Sequence, residues 1–293
     1  MKHAVLGVGA VGGLTAAALE FVGEDVILMV RPEKLAGYPE RLTLEQPDRT
    51  ITGAAHAVSK LVEPVDVLWI ATKTYQLQSA LEAVQASPGI VVPLLNGVDH
   101  MSTLRARFGD DSVVAGAIAV EADRSGDGHF VQRSMVRLSL AANGEPLLGR
   151  ILNQLQQSLG FICKFVADEK TLLWTKLSFL APFALLTTAS GKDKGGIFAD
   201  VEWRSALYDA ISEATSVANA SGAQVERDKV QLILDGSPAT MRSSMLKDFL
   251  ARRELELDGI GGPIVRGGEK YGIPTPVTKR LMAEIETKVS AKT

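Results

Sequence analysis

Three glycines near the start of the chain have the type and spacing needed to bind a dinucleotide. Gly7, Gly9 and Gly12 fit the pattern G-x-G-x-x-G within the stretch GVGAVGG. Gly7 allows a tight turn, Gly9 lets a pyrophosphate approach the backbone, and Gly12 permits close packing of a following helix whose N-terminal amides bind phosphate. Without its context the pattern would indicate only an ordinary glycine turn.

The residues around the glycines provide that context. An apolar strand is predicted over 3–6, an Ala- and Leu-rich helix over 10–22 that ends at Gly23, and a second strand over 25–30. An NAD site carries a carboxylate at the end of the second strand, where it binds the ribose 2′-hydroxyl. Here Arg31 follows that strand, which favours a 2′-phosphate and hence NADP, with a solvated surface arginine as the alternative.

Two more buried parallel strands are predicted, over 66–72 and 90–95, because their apolar runs are nearly continuous. Lys73 and Asn96 follow them at the carboxyl edge of the sheet, where ligands bind in open parallel sheets. A surface lysine and a helix-capping asparagine are the alternatives. Residues 42–58 predict short antiparallel strands, and strands over 113–120, 134–142 and 161–167 are predicted to extend and close the sheet.

The second half of the chain reads as helical. A single charge, Lys176, interrupts the apolar stretch TLLWTKLSFLAPFALLTTASG, which begins at Thr171 and predicts a buried helix capped by Asp168. Its ammonium must either extend to water or be buried at a considerable cost. A glycine-lysine loop is expected at 191–196, with helices over 199–220, 226–235, 238–255 and from about 275. The fold class is therefore α/β, a Rossmann-type domain over 1–167 followed by an all-α domain over 168–293.

Composition excludes several classes of protein. The net charge of −3 and the 5% aromatic content argue against a nucleic-acid partner. Lys176 and Pro182 within the apolar stretch argue against a membrane span, and the N-terminus reads as a strand rather than a signal peptide. Four scattered histidines and one cysteine, Cys163, indicate no metal site and a structural thiol. We expect a cytoplasmic protein, and self-association as a homodimer is left open.

Over nearly its full length the chain resembles the ketopantoate reductase (2-dehydropantoate 2-reductase) family, whose members are NADP-dependent dehydrogenases with a helical C-terminal domain. The motifs that carry the resemblance are GVGAVGG, Arg31, TK at 72–73, LNG at 95–97, WTKL at 174–177, SSM at 243–245, ELD at 256–258 and YGIPTP at 271–276. Their combination is more specific than any one of them.

The resemblance implies roles for individual residues. Lys176 would be the proton donor to a ketone, with its pKa lowered by desolvation, and Glu256 would lie near the nicotinamide ribose and the reacting oxygen. Ser244 and Asn96 would contact substrate or cofactor. The cofactor NADP (NADPH) would further contact Gly7, Val8, Gly9, Ala10, Val11, Gly12, Arg31, Lys73, Ala122 and Glu256. The alternative for Lys176 is a structural lysine whose ammonium extends to water, and the alternative for Glu256 is a solvated acid.

The match fails on the substrate side. The family carries asparagines four and eight residues after its catalytic lysine, whereas this chain has Leu180 and Ala184. Lys194 replaces another polar position, and Gly261-Gly262 replaces asparagine-glycine. The implied activity is reduction of a 2-oxo acid, 2-dehydropantoate by default, in pantothenate biosynthesis. The alternatives are a reductase of a more apolar 2-oxo acid and a non-catalytic NADP-binding sensor. Lys192 and Lys194 are candidates to bind the carboxylate of such an acid, although a solvated loop lysine is the preferred interpretation.

Overall fold

The structure is a computed structural model that describes residues 1–291. The chain divides into two compact units. The first contains Met1–Leu95 and His100–Leu172, and the second contains Asn96–Asp99 together with the chain from Leu173 onward. The short segment 96–99 therefore belongs to the second unit although it lies in the first third of the sequence.

The first unit is built from strands and five complete helices. Its strands are β1 Lys2–Leu6, β2 Asp25–Met29, β3 Arg41–Glu45, β4 Thr50–Ala54, β5 His56–Val58, β6 Val67–Ile70, β7 Ile90–Pro93, β8 Gly116–Ala119, β9 Ala122–Gly126, β10 His129–Gln132, β11 Arg137–Ala141 and β12 Ile162–Val166. Its helices are α1 Ala10–Phe21, α2 Pro32–Leu35, α3 Leu77–Leu81, α4 His100–Phe108 and α5 Glu145–Leu159.

A parallel five-stranded sheet with the order β5-β2-β1-β6-β7 forms the centre of this unit. β1 and β6 are buried along almost their whole length, as their continuous apolar runs predict. Leu6 pairs with Met29 and with Ile70, so the residues that follow β1, β2 and β6 emerge at one edge. The predicted Rossmann-type arrangement is confirmed.

The other strands correct part of the expectation. β3 and β4 form the predicted antiparallel pair. β8, β11 and β12 lie in a three-stranded sheet of their own, so the prediction that the segments 134–142 and 161–167 continue the central sheet is wrong. The predicted segment 113–120 extends the central sheet only at its start, where Val113 forms a parallel bridge with Val91 of β7. The β9–β10 hairpin was not predicted, because its sequence ADRSGDGHFVQ is polar and glycine-rich; it is held by pairing of β10 with the distant β3.

The second unit is helical, as predicted. Its helices are α6 Glu169–Ser190, which begins in the first unit, α7 Lys194–Ala199, α8 Val201–Ala220, α9 Arg227–Asp235, α10 Ser244–Leu250, α11 Leu257–Tyr271 and α12 Pro276–Ser290. The loop expected at 191–196 gives way to α7 after Asp193, whose side chain accepts a hydrogen bond from the Gly196 amide. The helix expected over 238–255 is confined to α10.

α6 is the long apolar helix that the sequence predicts. Asp168 caps its start, accepting hydrogen bonds from the Lys170 amide at 3.0 Å and the Thr171 hydroxyl at 2.5 Å. The helix is long and apolar enough to cross a membrane by length and composition, but 78% of that window is buried inside the fold. It is therefore mostly a core helix of the fold, as the sequence predicts.

Candidate functional site

The glycine loop between β1 and α1 has the geometry of a phosphate cradle. Gly7 adopts φ +94°, in the left-handed region, and a methyl group there would lie 2.7 Å from the Thr72 amide nitrogen. A methyl group on Gly12 would overlap the Gly7 carbonyl oxygen, whereas one on Gly9 would meet nothing within 4 Å. Gly9 thus faces open space, while Gly7 and Gly12 are required by packing.

The start of α1 leaves its backbone amides available to an anion. Gly9 is the N-cap, and within the described chain no side chain caps this end. The amides of Ala10, Val11 and Gly12 form the first turn, which carries no acidic residue. An uncapped helix start with a positive dipole end fits a pyrophosphate, so Gly7–Gly12, with Val8 among them, could hold a dinucleotide.

Lys73 lies beside this loop. It follows β6 and caps a short 3₁₀ helix, Thr74–Gln76. Its neighbour Thr72 packs directly against Gly7, which places Lys73 one residue from the cradle. This arrangement agrees with the predicted position at the carboxyl edge of the sheet.

Arg31 is exposed and lies two residues beyond the end of β2. It is the N-cap of α2, with Pro32 as the first helical residue. Met29 and Val30 precede it, so no carboxylate occupies the end of this strand. The site presents a cation where an NAD site would present an acid.

A second arginine near the loop was missed by the sequence analysis. Arg124 on β9 directs its Nη1 at the Val8 carbonyl oxygen, at 3.4 Å. Its Nη2 pairs with Asp127, whose other oxygen lies 3.3 Å from Nζ of Lys34. The predicted adenosine contact, Ala122, begins the same strand, two residues away and on the same face. No sequence signal pointed to Arg124, because its hairpin was not predicted.

Lys176 is half-buried on α6, in the second unit. Removal of water from its ammonium lowers the pKa of Lys176 to about 8, and the Glu256 carboxylate opposes this shift. This direction is the one that burial of a lysine in an apolar helix predicts. A lysine with this pKa is mostly protonated at neutral pH and releases its proton more readily than an exposed lysine.

Glu256 is buried and stands at the N-cap of α11. Its side chain does not cap its own helix; instead Oε2 accepts a hydrogen bond of 3.2 Å from Asn96 Nδ2. The positive end of the α11 dipole stabilises the carboxylate. Lys176, Glu256 and Asn96, which the sequence separates by up to 160 residues, therefore share one unit.

Ser244 is exposed as the first residue of α10. Its neighbour Ser243 is buried, where its hydroxyl accepts a bond from the Leu246 amide and lies 2.7 Å from the Thr187 hydroxyl. Thr187 is on α6, so this buried contact holds α10 against the helix that carries Lys176. The SSM motif thus combines an exposed serine with a structural one.

The two positions that depart from the family pattern differ in their surroundings. Leu180 is half-buried, whereas Ala184 is fully buried in the helical core. Residues four apart are neighbours on a helix, so both positions lie on the face of α6 that carries Lys176. Of the two, Leu180 has accessible surface and Ala184 has none.

Neither lysine near 191–196 is a free anion-binding group. Lys194 is buried, and its Nζ donates 2.7 Å bonds to the carbonyl oxygens of Asp235 and Ser237 and lies 4.6 Å above the Phe198 ring. Lys192 pairs with Asp200 at 2.7 Å. The expectation that Lys194 is a solvated loop lysine is wrong, because its side chain binds the backbone carbonyls of the last residue of α9 and of Ser237 just beyond it.

Other candidate chemistry is absent from the described part of the chain. Burial raises the pKa of the Cys163 thiol to about 11, so it stays protonated. Among residues 1–291, no group of three or more His, Cys, Asp or Glu side chains is placed to hold a metal ion.

Comparison with known proteins agrees with this geometry. Residues 3–145 match the family model described as ketopantoate reductase PanE/ApbA, and residues 168–289 match its C-terminal model. A 2-dehydropantoate 2-reductase of Mycobacterium tuberculosis is 30% identical over 292 residues, covering 95% of each chain. The chain belongs to the ketopantoate reductase family. A Caulobacter vibrioides 2-dehydropantoate 2-reductase is 26% identical over 291 residues, 96% of each chain.

Solved structures show the same fold. A PanE/ApbA family ketopantoate reductase from Ralstonia eutropha JMP134 superposes with a TM-score of 0.87 at 24% identity over 99% of both chains. D-mandelate dehydrogenase, solved with NADH and anilino(oxo)acetate, has a TM-score of 0.88 at 20% identity, again over 99% of both chains. Membership of the ketopantoate reductase family makes this protein an oxidoreductase of the NAD(P)-dependent type, acting on a small molecule.

Proposed function

We propose that this protein uses NADPH to reduce a 2-oxo acid to a 2-hydroxy acid, with 2-dehydropantoate, reduced to pantoate, as the preferred substrate. The observation that carries the proposal is Lys176, whose pKa of about 8 is set by desolvation and by the buried Glu256. The choice of 2-dehydropantoate as substrate is supported by the relatives, which are named 2-dehydropantoate 2-reductases.

The residues divide the chemistry between them. A bound reduced nicotinamide supplies the hydride for the carbonyl carbon. Nζ of Lys176 stabilises the negative charge that develops on the ketone oxygen and donates its proton to that oxygen. Glu256 holds the ammonium in place and favours its return to the charged form after each turnover, while Asn96 fixes the Glu256 carboxylate. Ser244 contributes to substrate binding.

The cofactor preference rests on the first unit. Gly7–Gly12 bind the pyrophosphate, and Lys73 and Ala122 lie beside the bound dinucleotide. The exposed Arg31 binds the 2′-phosphate, which explains why no carboxylate follows β2. Arg124, which contacts the Val8 carbonyl, adds a second positive charge near the loop.

Leu180 favours a second candidate, the reduction of a more apolar 2-oxo acid. This half-buried leucine is four residues from Lys176, where the family has an amide. A hydrophobic side chain there favours an apolar substrate group over a hydroxyl, because a hydroxyl would lose a hydrogen bond worth about 1 kcal/mol. D-mandelate dehydrogenase, which was solved with NADH and anilino(oxo)acetate, has the same fold, and this supports the second candidate.

The proposal also includes the oligomeric state and the cellular location of the protein. We expect a cytoplasmic homodimer, and exposed apolar side chains on the helical unit, such as Val201 and Leu232, support self-association. Light scattering on the purified protein measures the mass directly, and a monomeric mass would refute the dimer.

The test is a steady-state assay with 2-dehydropantoate, benzoylformate and pyruvate, each with NADPH and with NADH, for wild type and Lys176→Ala. We expect NADPH oxidation to be fastest with 2-dehydropantoate and to fall about 10²- to 10⁴-fold in the variant. A preference for benzoylformate would select the second candidate. Tight NADPH binding without turnover on any acid would identify a non-catalytic sensor and refute both.

A further inference from the structure

The segment Asn96–Asp99 lies against the first turns of α11. At its start, the Asn96 amide donates to Glu256 Oε2. Next to it, Gly97 adopts φ +81°, and a methyl group there would overlap the Gly259 carbonyl oxygen. The segment and the helix therefore approach as closely as backbones allow, which only glycine permits.

Arg266 holds the other end of the segment. Its Nη2 and Nε lie 2.7 and 3.2 Å from Oδ2 of Asp99, and its Nη1 lies 2.6 Å from Oδ1 of Asp258. One guanidinium thus joins the segment to the same helix that carries Glu256 at its start. All of these residues belong to the second unit.

Gly262 makes this bridge geometrically feasible. Residues 258, 262 and 266 form one row along α11, each four residues apart. Side chains on a helix lean toward its N-terminus, so Arg266 extends back over position 262 to reach Asp258. A methyl group on Gly262 would lie 2.5 Å from both Arg266 Nη2 and Asp258 Oδ1. The glycine leaves the space that the guanidinium fills.

We propose that Arg266 is a positioning residue that holds the 96–99 segment on α11 and thereby keeps the Asn96 amide on Glu256. The proposal rests on the function proposed above, in which Glu256 acts with Lys176. Arg266, Asp99 and Asp258 are all at least half-exposed, and exposed ion pairs contribute little to stability. The effect of the bridge is therefore on the position of Asn96 rather than on folding.

The test compares Arg266→Ala with Lys279→Ala. Lys279 also pairs with an exposed carboxylate on α11, Glu269, at 2.8 Å, and the exposures of this pair, 49% and 63%, match the 50% and 55% of Arg266 and Asp99. Selective ¹⁵N labelling of asparagine yields few side-chain amide signals, because the chain has only Asn96, Asn143, Asn153 and Asn219. The Asn96 signal is identified by its loss in Asn96→Ala.

We expect the Asn96 amide signal to shift or broaden in Arg266→Ala and in Asp99→Asn, to recover in part in Arg266→Lys, and to stay unchanged in Lys279→Ala. Lysine restores the charge but not the forked contact with two carboxylates. An Asn96 signal that is the same in wild type, Arg266→Ala and Asp99→Asn would overturn the proposal. This measurement needs no turnover, so it remains decisive even if the proposed reaction is wrong.

Kinetics supply the second readout. Arg266→Ala should lower kcat/KM for the 2-oxo acid about tenfold, since small misplacements of catalytic groups have effects of this order or greater. In an Asn96→Ala background the same substitution should have almost no further effect, because Arg266 acts through Asn96. Full additivity of the two substitutions would overturn the proposal, whereas a wild type without turnover would refute the proposed function.

Discussion

Asn96 Nδ2 donates a hydrogen bond of 3.2 Å to Oε2 of Glu256, a residue 160 positions later in the chain. Asn96 follows a strand of the parallel sheet, whereas Glu256 opens a helix of the second unit, to which both residues belong. Because Glu256 is buried and raises the pKa of Lys176, the bond fixes the group that tunes the proposed proton donor.

The pKa of Lys176 predicts the pH dependence of the reaction. The ammonium must carry its proton for ketone reduction, so kcat/KM should be level well below pH 8 and fall as the pH rises through about 8. Oxidation of the 2-hydroxy acid needs the neutral amine and should rise over the same range. Rates measured in both directions between about pH 6 and about pH 10 check this prediction, because that range extends well to both sides of the pKa of Lys176.

Glu256→Gln is the companion variant for that profile. The Glu256 carboxylate raises the pKa of Lys176, so its removal should lower that pKa and move the falling limb of the reduction rate to lower pH. A limb that stays in place, or moves to higher pH, would contradict the assignment of Lys176 as the titrating group.

Asn96→Ala should impair both folding and activity. The variant leaves one oxygen of a buried carboxylate without the Asn96 amide, at an expected cost of about 1–3 kcal/mol in the free energy of unfolding. We expect kcat/KM to fall about tenfold as Glu256 loses its orientation. Asn153→Ala, at an exposed position on α5, is the matched control, and equal kinetics in the two variants would count against the role of Asn96.

Gly9→Ala and Gly12→Ala should separate cofactor binding from folding. Gly9 has φ −86° and open space around it, so alanine should leave the melting temperature nearly unchanged while its methyl group blocks the pyrophosphate. Gly12→Ala should lower the melting temperature, because its methyl group overlaps the Gly7 carbonyl. Calorimetric titration with NADPH and thermal unfolding check both; tight NADPH binding by Gly9→Ala would refute the cradle.

Arg31→Ala should weaken NADPH binding about 10- to 100-fold and leave NADH binding nearly unchanged, because one charged hydrogen bond to the 2′-phosphate is lost. Arg41→Ala, which removes another exposed arginine of the same unit, is the control. Equal losses for the two cofactors in Arg31→Ala would place the 2′-phosphate elsewhere, and Arg124→Ala would then be the next variant to titrate.

Glu213 should matter for stability alone. This buried carboxylate on α8 accepts hydrogen bonds from the Val277 amide at 2.7 Å and from the Thr278 amide and hydroxyl at 2.9 and 2.6 Å. It therefore caps the start of α12 from another helix. Glu213→Ala should lower the free energy of unfolding by about 3 kcal/mol, with Glu213→Gln intermediate. Urea denaturation measures this, and unchanged midpoints would show that the cap is dispensable.

The elements that the sequence predicts well are those with a strong local pattern. α1 and the strands β1, β2, β6 and β7 follow from continuous apolar runs and from the glycine turn. The sequence does not predict α11, because its glycines and Pro263 oppose helix formation locally. The helix forms because those glycines allow close packing: Gly267 lies against Val217 of α8 and Gly261 against Met282 of α12.

Candidate site residues divide in the same way. The glycine loop and Arg31 stand out by type and spacing, because each depends on a few neighbouring residues. The role of Lys176 is implied by the resemblance to the family, since the apolar helix around it is equally consistent with a structural lysine. Arg124 escaped notice because it lies on a polar hairpin whose strand partner is distant in sequence. The role of Lys194 was misjudged because a loop lysine is usually solvated, whereas this one binds two carbonyl groups contributed by a later segment.

By itself, the sequence determined that the chain has a dinucleotide-binding half, a helical half and one lysine inside an apolar helix, because hydrophobic periodicity and glycine spacing act over short distances. Only the tertiary structure decided that segment 96–99 joins the helical unit, that Asn96 meets Glu256, and that the pKa of Lys176 falls to about 8. Desolvation and charge interactions depend on atoms brought together from distant parts of the chain, and no local pattern records them.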